Sequence, residues 1–188
     1  MTGVVESLQY MKDISTEMQT RVSKIKKDLN PIYFNLLMNK LASALPSNFL
    51  LNIYKIKKTI SADCSQQFLF DIQNELRNLL LTLPSISINE QGQIIQDSSK
   101  ATPESYKSFV DKNVQKVMGR FKTMGYPHDA NQIREGYQQI IDQTDKNDKN
   151  KSAEDLIAIL TLRGLAPKNQ SELKKQLDQF ENWINSLT

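Results

Sequence analysis

The 188-residue sequence predicts an all-α protein organised as two small helical bundles in tandem. Three observations carry this expectation. Apolar residues recur at helical spacing in one segment after another. The segments open on cap residues and close on glycine or proline. No stretch shows the alternation or turn chemistry of a hairpin. A polar interval from Ser87 to Ser99 separates the halves. The expected organisation is a first bundle over 1–90, a polar linker over 91–101 and a second bundle over 102–188.

The elements follow in order. Val4, Leu8, Met11, Ser15, Met18, Val22, Ile25 and Leu29 step by four and three, a heptad seam broken only at Ser15. It reads as one helix of a bundle in preference to the tail of a longer coiled coil. Asn30-Pro31 supplies an N-cap and a proline at the first helical position. Ile32, Tyr33, Leu36, Leu37, Leu41 and Ala44 carry the next helix. Pro46 is expected to break or kink it, because an interior proline costs about 3 kcal/mol. Phe49, Leu50, Ile53, Tyr54 and Ile56 resume the pattern up to Lys57-Lys58.

Ser61 is placed to cap the most apolar helix of the chain, since its hydroxyl can accept a bond from a free N–H of the first turn. Phe68, Leu69, Ile72, Leu76, Leu79, Leu80 and Leu83 form its stripe, and Pro84 stops it. Phe70 and Leu81 lie off the stripe, so this helix must be buried on several sides. Thr102-Pro103 restarts a helix with Tyr106, Val110, Val114, Val117, Phe121 and Met124 on one face, ended by Gly125 and Pro127. Ile133, Tyr137, Ile140 and Ile141 mark another. After a charged loop over Asp142–Lys151, Ser152-x-x-Asp155 reads as a capping box opening a helix with Leu156, Ile157 and Leu160, closed by Gly164. Asn169-x-x-Glu172 opens the last, with Leu173, Leu177, Phe180, Ile184 and Leu187 on one side.

Composition narrows the function classes. Apolar residues make up 39% and charged residues 24%, a foldable balance with none of the bias of a disordered chain. A net charge of +3 is too mild to dictate a nucleic-acid or membrane partner. The single cysteine, Cys64, excludes an internal disulfide framework and reads as a small core residue. No apolar run approaches the ~18 residues needed to span a bilayer, and no secretory or transit signal opens the chain. Met1 leads almost directly into helical pattern, which reads as an excised piece of a longer protein.

Reactive chemistry is scarce. His128, the single histidine, follows Pro127 and reads as a solvated loop residue. One His and one Cys cannot complete a histidine-bearing zinc site. No phosphate-cradling loop or nucleophile elbow is present. Glu154-Asp155 answers the positive end of a helix. A calcium loop starting at Asp145 fails, because Lys149, Asn150 and Leu156 occupy positions that need an oxygen ligand, the turn glycine and the bidentate glutamate. The expectation is no catalytic residue, no cofactor and no metal.

Lys24-Ile25-Lys26-Lys27 and Lys55-Ile56-Lys57-Lys58 share one pattern. Both are expected near helix C-termini, where cations suit the dipole. Attraction to anionic lipid is the second reading. At about 1 kcal/mol per lysine, three fall short of the ~4 kcal/mol of millimolar binding, so such a patch acts only beside other contacts. Leu156-x-x-x-Leu160-x-Leu162-Arg163-Gly164-Leu165 with Ser171-x-Leu173-x-x-x-Leu177 looks like the SAP-type helical hairpin that binds DNA, with Lys168, Lys174 and Lys175 toward phosphate. Nearby Glu154, Asp155, Glu172 and Asp178 dilute that field, which leaves DNA binding as the alternative function.

The wording of the apolar helix is more specific. Lys58-x-Ile60-Ser61, Gln67-Phe68-Leu69-x-Asp71 and Leu80-Leu81-x-Leu83-Pro84-Ser85-Ile86 resemble the C-terminal region of the vacuolar protein sorting-associated protein 53 family. Ser105-Tyr106, Val110, Lys112, Lys122, Pro127-His128 and Leu160-x-Leu162-x-Gly164-Leu165 extend the resemblance from about Leu41 to Leu165.

It implies a non-catalytic piece of a subunit of the Golgi-associated retrograde protein (GARP) tethering complex. Subunits of this class are elongated rods of helical bundles. The implied role is tethering of vesicles in retrograde transport from endosomes to the trans-Golgi network. The implied location is the cytosol and the cytoplasmic face of those membranes, with peripheral membrane association. The implied partners are other subunits of the complex, with SNAREs, small GTPases or the vesicle surface as candidates, and no nucleic acid. The candidate partner-binding residues are Lys55, Lys57, Lys58, Asp71 and Arg77 in the first bundle, and Tyr106, Lys112 and Lys116 in the second. Lys58, Asp71 and Lys112 are included because they match family positions.

Overall fold

A computed structural model of the chain describes residues 9–97, 102–125, 130–143 and 149–164. The fold is all-α. In chain order the elements are helices α1 (Gln9–Asp28), α2 (Pro31–Tyr54) and α3 (Ala62–Phe70), a π-helical segment (Asp71–Leu76), α4 (Arg77–Thr82), a 3-10 turn (Leu83–Ser85), strands β1 (Ile86–Ile88) and β2 (Ile94–Gln96), and helices α5 (Glu104–Gly125), α6 (Ala130–Gln143) and α7 (Lys149–Leu162). They fall into two units, Met1–Leu51 with Gln67–Met118, and Asn52–Gln66 with Gly119–Thr188.

The expected caps form. Asn30 Oδ1 accepts from the Ile32 N–H at 2.9 Å and opens α2. Ser61 Oγ accepts from the Cys64 N–H at 3.1 Å and opens α3. Gly164 ends α7 at φ +68°, a left-handed conformation that glycine adopts without a Cβ clash. Its N–H donates to the Thr161 carbonyl at 3.0 Å, satisfying one of the free carbonyls at the helix end.

Three expectations change. Pro46 does not break α2, which continues to Tyr54. Phe34, Met38, Ala42 and Leu50 are buried along one side of that helix on both flanks of the proline, and their burial offsets the lost hydrogen bond. The interval read as free of strands holds an antiparallel hairpin pairing Ile86 with Gln96, Ser87 with Ile95 and Ile88 with Ile94. Its turn closes through Asn89, whose Oδ1 accepts from the Gln93 N–H at 2.8 Å, and Gly92 takes φ +78°. Finally, α7 begins at Lys149, so Ser152 and Asp155 lie inside it and form no capping box. The expected elements over Asn169–Leu187 and the Pro127-His128 turn lie outside the described residues.

In the first unit, α1 packs on β1, β2, the π segment and the 3-10 turn. Met11 and Val22 of its seam are buried there, with Ile72, Leu80, Leu83 and Ile86 among the enclosed residues of the same unit. Phe49 stacks on Tyr10 at 6.5 Å between ring centres and meets Phe68 edge-on at 6.3 Å. Lys26 bridges elements: its ammonium donates to the carbonyls of Pro84 at 2.6 Å and Ile86 at 2.8 Å and lies 5.2 Å from the centre of the Phe34 ring.

In the second unit, α6 and α7 pack together through Tyr137 and Leu156, joined by Ile141, Ile157 and Leu160. Phe121, Met124, Ile140 and Ile159 are buried in the same unit. Gly136 allows a close approach, since a Cβ there would lie 2.4 Å from Thr123 Oγ1. The Ile60 N–H donates to the Leu162 carbonyl at 2.8 Å, fastening the start of the segment before α3 to the end of α7.

Candidate functional site

The π segment brings a polar groove to the surface of the first unit. A π turn carries one extra residue in the helical ladder, and such turns occur often at functional sites. Here it places Gln73 and Asn74 beside Arg77 of α4, facing Asp111, Val114, Gln115 and Met118 of α5 across a depression of about 320 Å³. Arg77 Nε donates to Asp111 Oδ1 at 2.6 Å and Nη2 to Oδ2 at 3.2 Å, a two-pronged bond that raises the guanidinium's affinity for its proton still further. The pair is partly solvated, with Arg77 29% and Asp111 38% exposed, so it remains open to exchange with a competing charge.

Lys112 and Lys116 are exposed on α5, each one residue after a groove-lining position, and one helical turn apart. They form a basic edge beside an amide-rich groove. That arrangement suits an acidic or amide-bearing peptide segment; the carboxylate in the groove, Asp111, is engaged by Arg77. Among the described residues, no three His, Cys, Asp or Glu side chains gather as a metal site would require.

The remaining expected residues fall elsewhere. Asp71 is fully buried, accepting from the Tyr10 hydroxyl and from Gln67 Nε2 at 2.9 Å. It ties α1 to the start of the π segment and presents no face to a partner. Tyr106 is half-buried, its hydroxyl donating to the Leu80 carbonyl at 3.1 Å. Burial pushes that phenol up to about 12. It also lines a second depression of about 360 Å³ with Met38, Pro84, Pro103 and Phe109. Lys55, Lys57 and Lys58 are exposed and belong to the other unit. They follow directly on the end of α2 at Tyr54, near the helix C-terminus as expected, where cations suit the dipole. Arg77 therefore shares a unit with Tyr106, Lys112 and Lys116, not with the three lysines it was grouped with.

Sequence reasoning missed the enclosed charges. In the second unit, Arg120 Nε meets Asp155 Oδ2 at 2.7 Å with both side chains under a tenth exposed. Burial first, and then the negative charge of Asp155, push the Tyr54 phenol far above its ordinary range, while Arg120 pulls the other way. Arg163 Nη1 donates to the Met124 carbonyl at the end of α5. The one available signal was the position of Arg120 inside the apolar stripe of α5, between Val117 and Phe121.

Comparison with known proteins decides the family. The family described as "Vacuolar protein sorting-associated protein 53 C-terminus" matches residues 66–165, more than half of the chain. The chain belongs to that family. The match spans the π segment, the hairpin and α5 to α7, and includes Asp71, Arg77, Tyr106, Lys112 and Lys116; Lys55, Lys57 and Lys58 lie before it.

Vacuolar protein sorting-associated protein 53 A of Arabidopsis thaliana is 26% identical over 180 residues, covering 96% of this chain. The chain spans about a fifth of that relative's length, 19%. No solved structure matches.

Proposed function

We propose that the chain is a non-catalytic piece of a vesicle-tethering complex subunit, acting in retrograde transport from endosomes to the trans-Golgi network. The observation that supports this is the family match over residues 66–165, which includes the whole groove between the π segment and α5. A tether needs placed surfaces, and this groove with its lysine edge is such a surface. Its occupant is an acidic segment of a sister subunit, a SNARE or a small GTPase. Lys55, Lys57 and Lys58 offer a second, weaker contact. Exposed lysines contribute little singly, so binding is combinatorial. The setting is the cytosol and the cytoplasmic face of the trans-Golgi network and endosomes, with peripheral association; among the described residues no helix is long and apolar enough to cross a membrane.

The test is a pull-down with the purified 188-residue chain against sister subunits, SNAREs and small GTPases. The expected result is retention of at least one of these, reduced severalfold by Lys112→Glu with Lys116→Glu at unchanged thermal stability. Retention of none of them, or retention indifferent to the charge reversal, refutes the groove assignment.

A further inference from the structure

The corner between α1 and α2 carries an unusual surface. Ile32 is 69%, Tyr33 64% and Leu36 54% exposed. Single exposed apolar residues are ordinary, but these three share one face of the first turns of α2 and form a patch. Ile25, in the last turns of α1 on the other side of the short connection, is also exposed at 41%. Buried Phe34 and Met38 point elsewhere, so the helix is apolar on its inner and its outer side at this end. Further along the same outer face come Lys40, Ser43 and Ser47, all exposed and polar, before a single exposed apolar residue, Leu51, near the far end.

The charge around this patch is one-sided. Within the first unit, residues 24–51 contain four lysines, Lys24, Lys26, Lys27 and Lys40, and a single acidic residue, Asp28, so this stretch alone accounts for a charge equal to the +3 of the whole chain. Lys24 and Lys27 are exposed on α1 beside the corner, and exposed Lys40 stands one turn beyond Leu36. Lysines flanking projecting isoleucine, leucine and tyrosine match the interfacial pattern of peripheral membrane proteins, with the tyrosine ring at headgroup level. The neighbouring depression is lined from another side of α2, by Asn35, Met38 and Asn39, so Ile32 and Tyr33 are not walls of a groove awaiting a helix.

We propose that this corner docks on a membrane surface bearing anionic lipid headgroups, with Ile32, Tyr33 and Leu36 entering the interface and Lys24, Lys27 and Lys40 facing the phosphates. The inference rests on the tethering reading for its setting, and it names the lipid contact of that reading. The lysines alone fall short of stable binding, and the apolar side chains supply the remainder.

The experiment is co-sedimentation of the 188-residue chain with vesicles of phosphatidylcholine and phosphatidylserine, against phosphatidylcholine alone. Binding is expected only to the anionic vesicles and is expected to fall with salt. Lys24→Gln with Lys27→Gln should weaken it about 25-fold, at about fivefold per lysine. Ile32→Ser with Leu36→Ser should weaken it at least about tenfold. Both pairs are exposed, so melting should be unchanged; should the apolar pair fail to fold, the lysine pair carries the test.

No binding to anionic vesicles, equal binding to neutral ones, or indifference to both variants overturns the proposal. So does a concentration-dependent dimer, or retention by sister subunits, that Ile32→Ser with Leu36→Ser abolishes while vesicle binding persists; the patch would then be a protein interface. Because the vesicles contain lipid alone, this proposal can fail while the pull-down succeeds, and the reverse.

Discussion

Each unit contains an Arg–Asp pair to which α5 contributes one member, and the two pairs have nearly the same length but opposite surroundings. Arg77 meets Asp111 at 2.6 Å with roughly a third of each side chain in solvent. Arg120 meets Asp155 at 2.7 Å with exposures of 7% and 9%. Distance alone would rank them as equals. Desolvation does not: an enclosed charge has no water to fall back on, whereas a half-exposed one exchanges its partner for solvent at little loss. The first pair is therefore available for recognition, while the second is committed to the architecture of its unit.

The sharpest way to break this contrast is Asp155→Ala. It leaves the Arg120 guanidinium enclosed without its carboxylate and should destabilise the chain by about 3–5 kcal/mol. The Tyr54 phenol loses the neighbouring charge at the same time. Chemical denaturation monitored by circular dichroism measures the loss. A change under about 1 kcal/mol would mean that this pair is as solvated as the other, and the contrast would collapse.

Sterics should reinforce electrostatics in the second unit. A Cβ at position 136 would lie 2.4 Å from Thr123 Oγ1, 2.7 Å from Cγ2 and 3.0 Å from Cβ. Thr123 is β-branched and its hydroxyl already donates to the Gly119 carbonyl at 2.8 Å, so it has little freedom to move aside. Gly136→Ala gains about 1 kcal/mol of helix propensity but meets an overpacking penalty of about 1–3 kcal/mol. The net expectation is a loss of up to about 2 kcal/mol. Denaturation midpoints of Gly136→Ala and the unaltered chain check it, and a stabilised variant would show that α5 and α6 have room to separate.

The same division between local and enclosed interactions explains what was legible in the sequence. Asn30 and Ser61 were readable as caps because each accepts from an N–H two or three residues away. The apolar stripe of α5 was readable because Val110, Val114, Val117 and Phe121 repeat at the helical period, and all four are buried. Ser152-x-x-Asp155 misled for the opposite reason. Its spacing is local, but Asp155 is claimed by Arg120, thirty-five residues earlier in the chain. The hairpin escaped notice because three-residue strands leave too few alternations to count, although Asn89 and Gly92 carried its turn chemistry. Nothing in Asp71–Leu76 marks a π turn, so the groove it shapes was invisible, while Arg77, Lys112 and Lys116 around it were named on other grounds.

The weakest expected effect tests the recognition half of the contrast. Arg77→Ala removes a two-pronged bond, yet Asp111 keeps access to water and the groove floor of Val114 and Met118 is left in place. The stability loss should be under about 1 kcal/mol. Partner retention should respond more strongly, because the substitution deletes the guanidinium that an incoming carboxylate would share with Asp111 and widens the groove beside Gln73 and Asn74. Denaturation and pull-down on the same preparation separate the two effects. Equal, small changes in both would make Arg77 an ordinary surface residue. A large loss of stability would make it a structural one like Arg120, and the two pairs would no longer differ in kind.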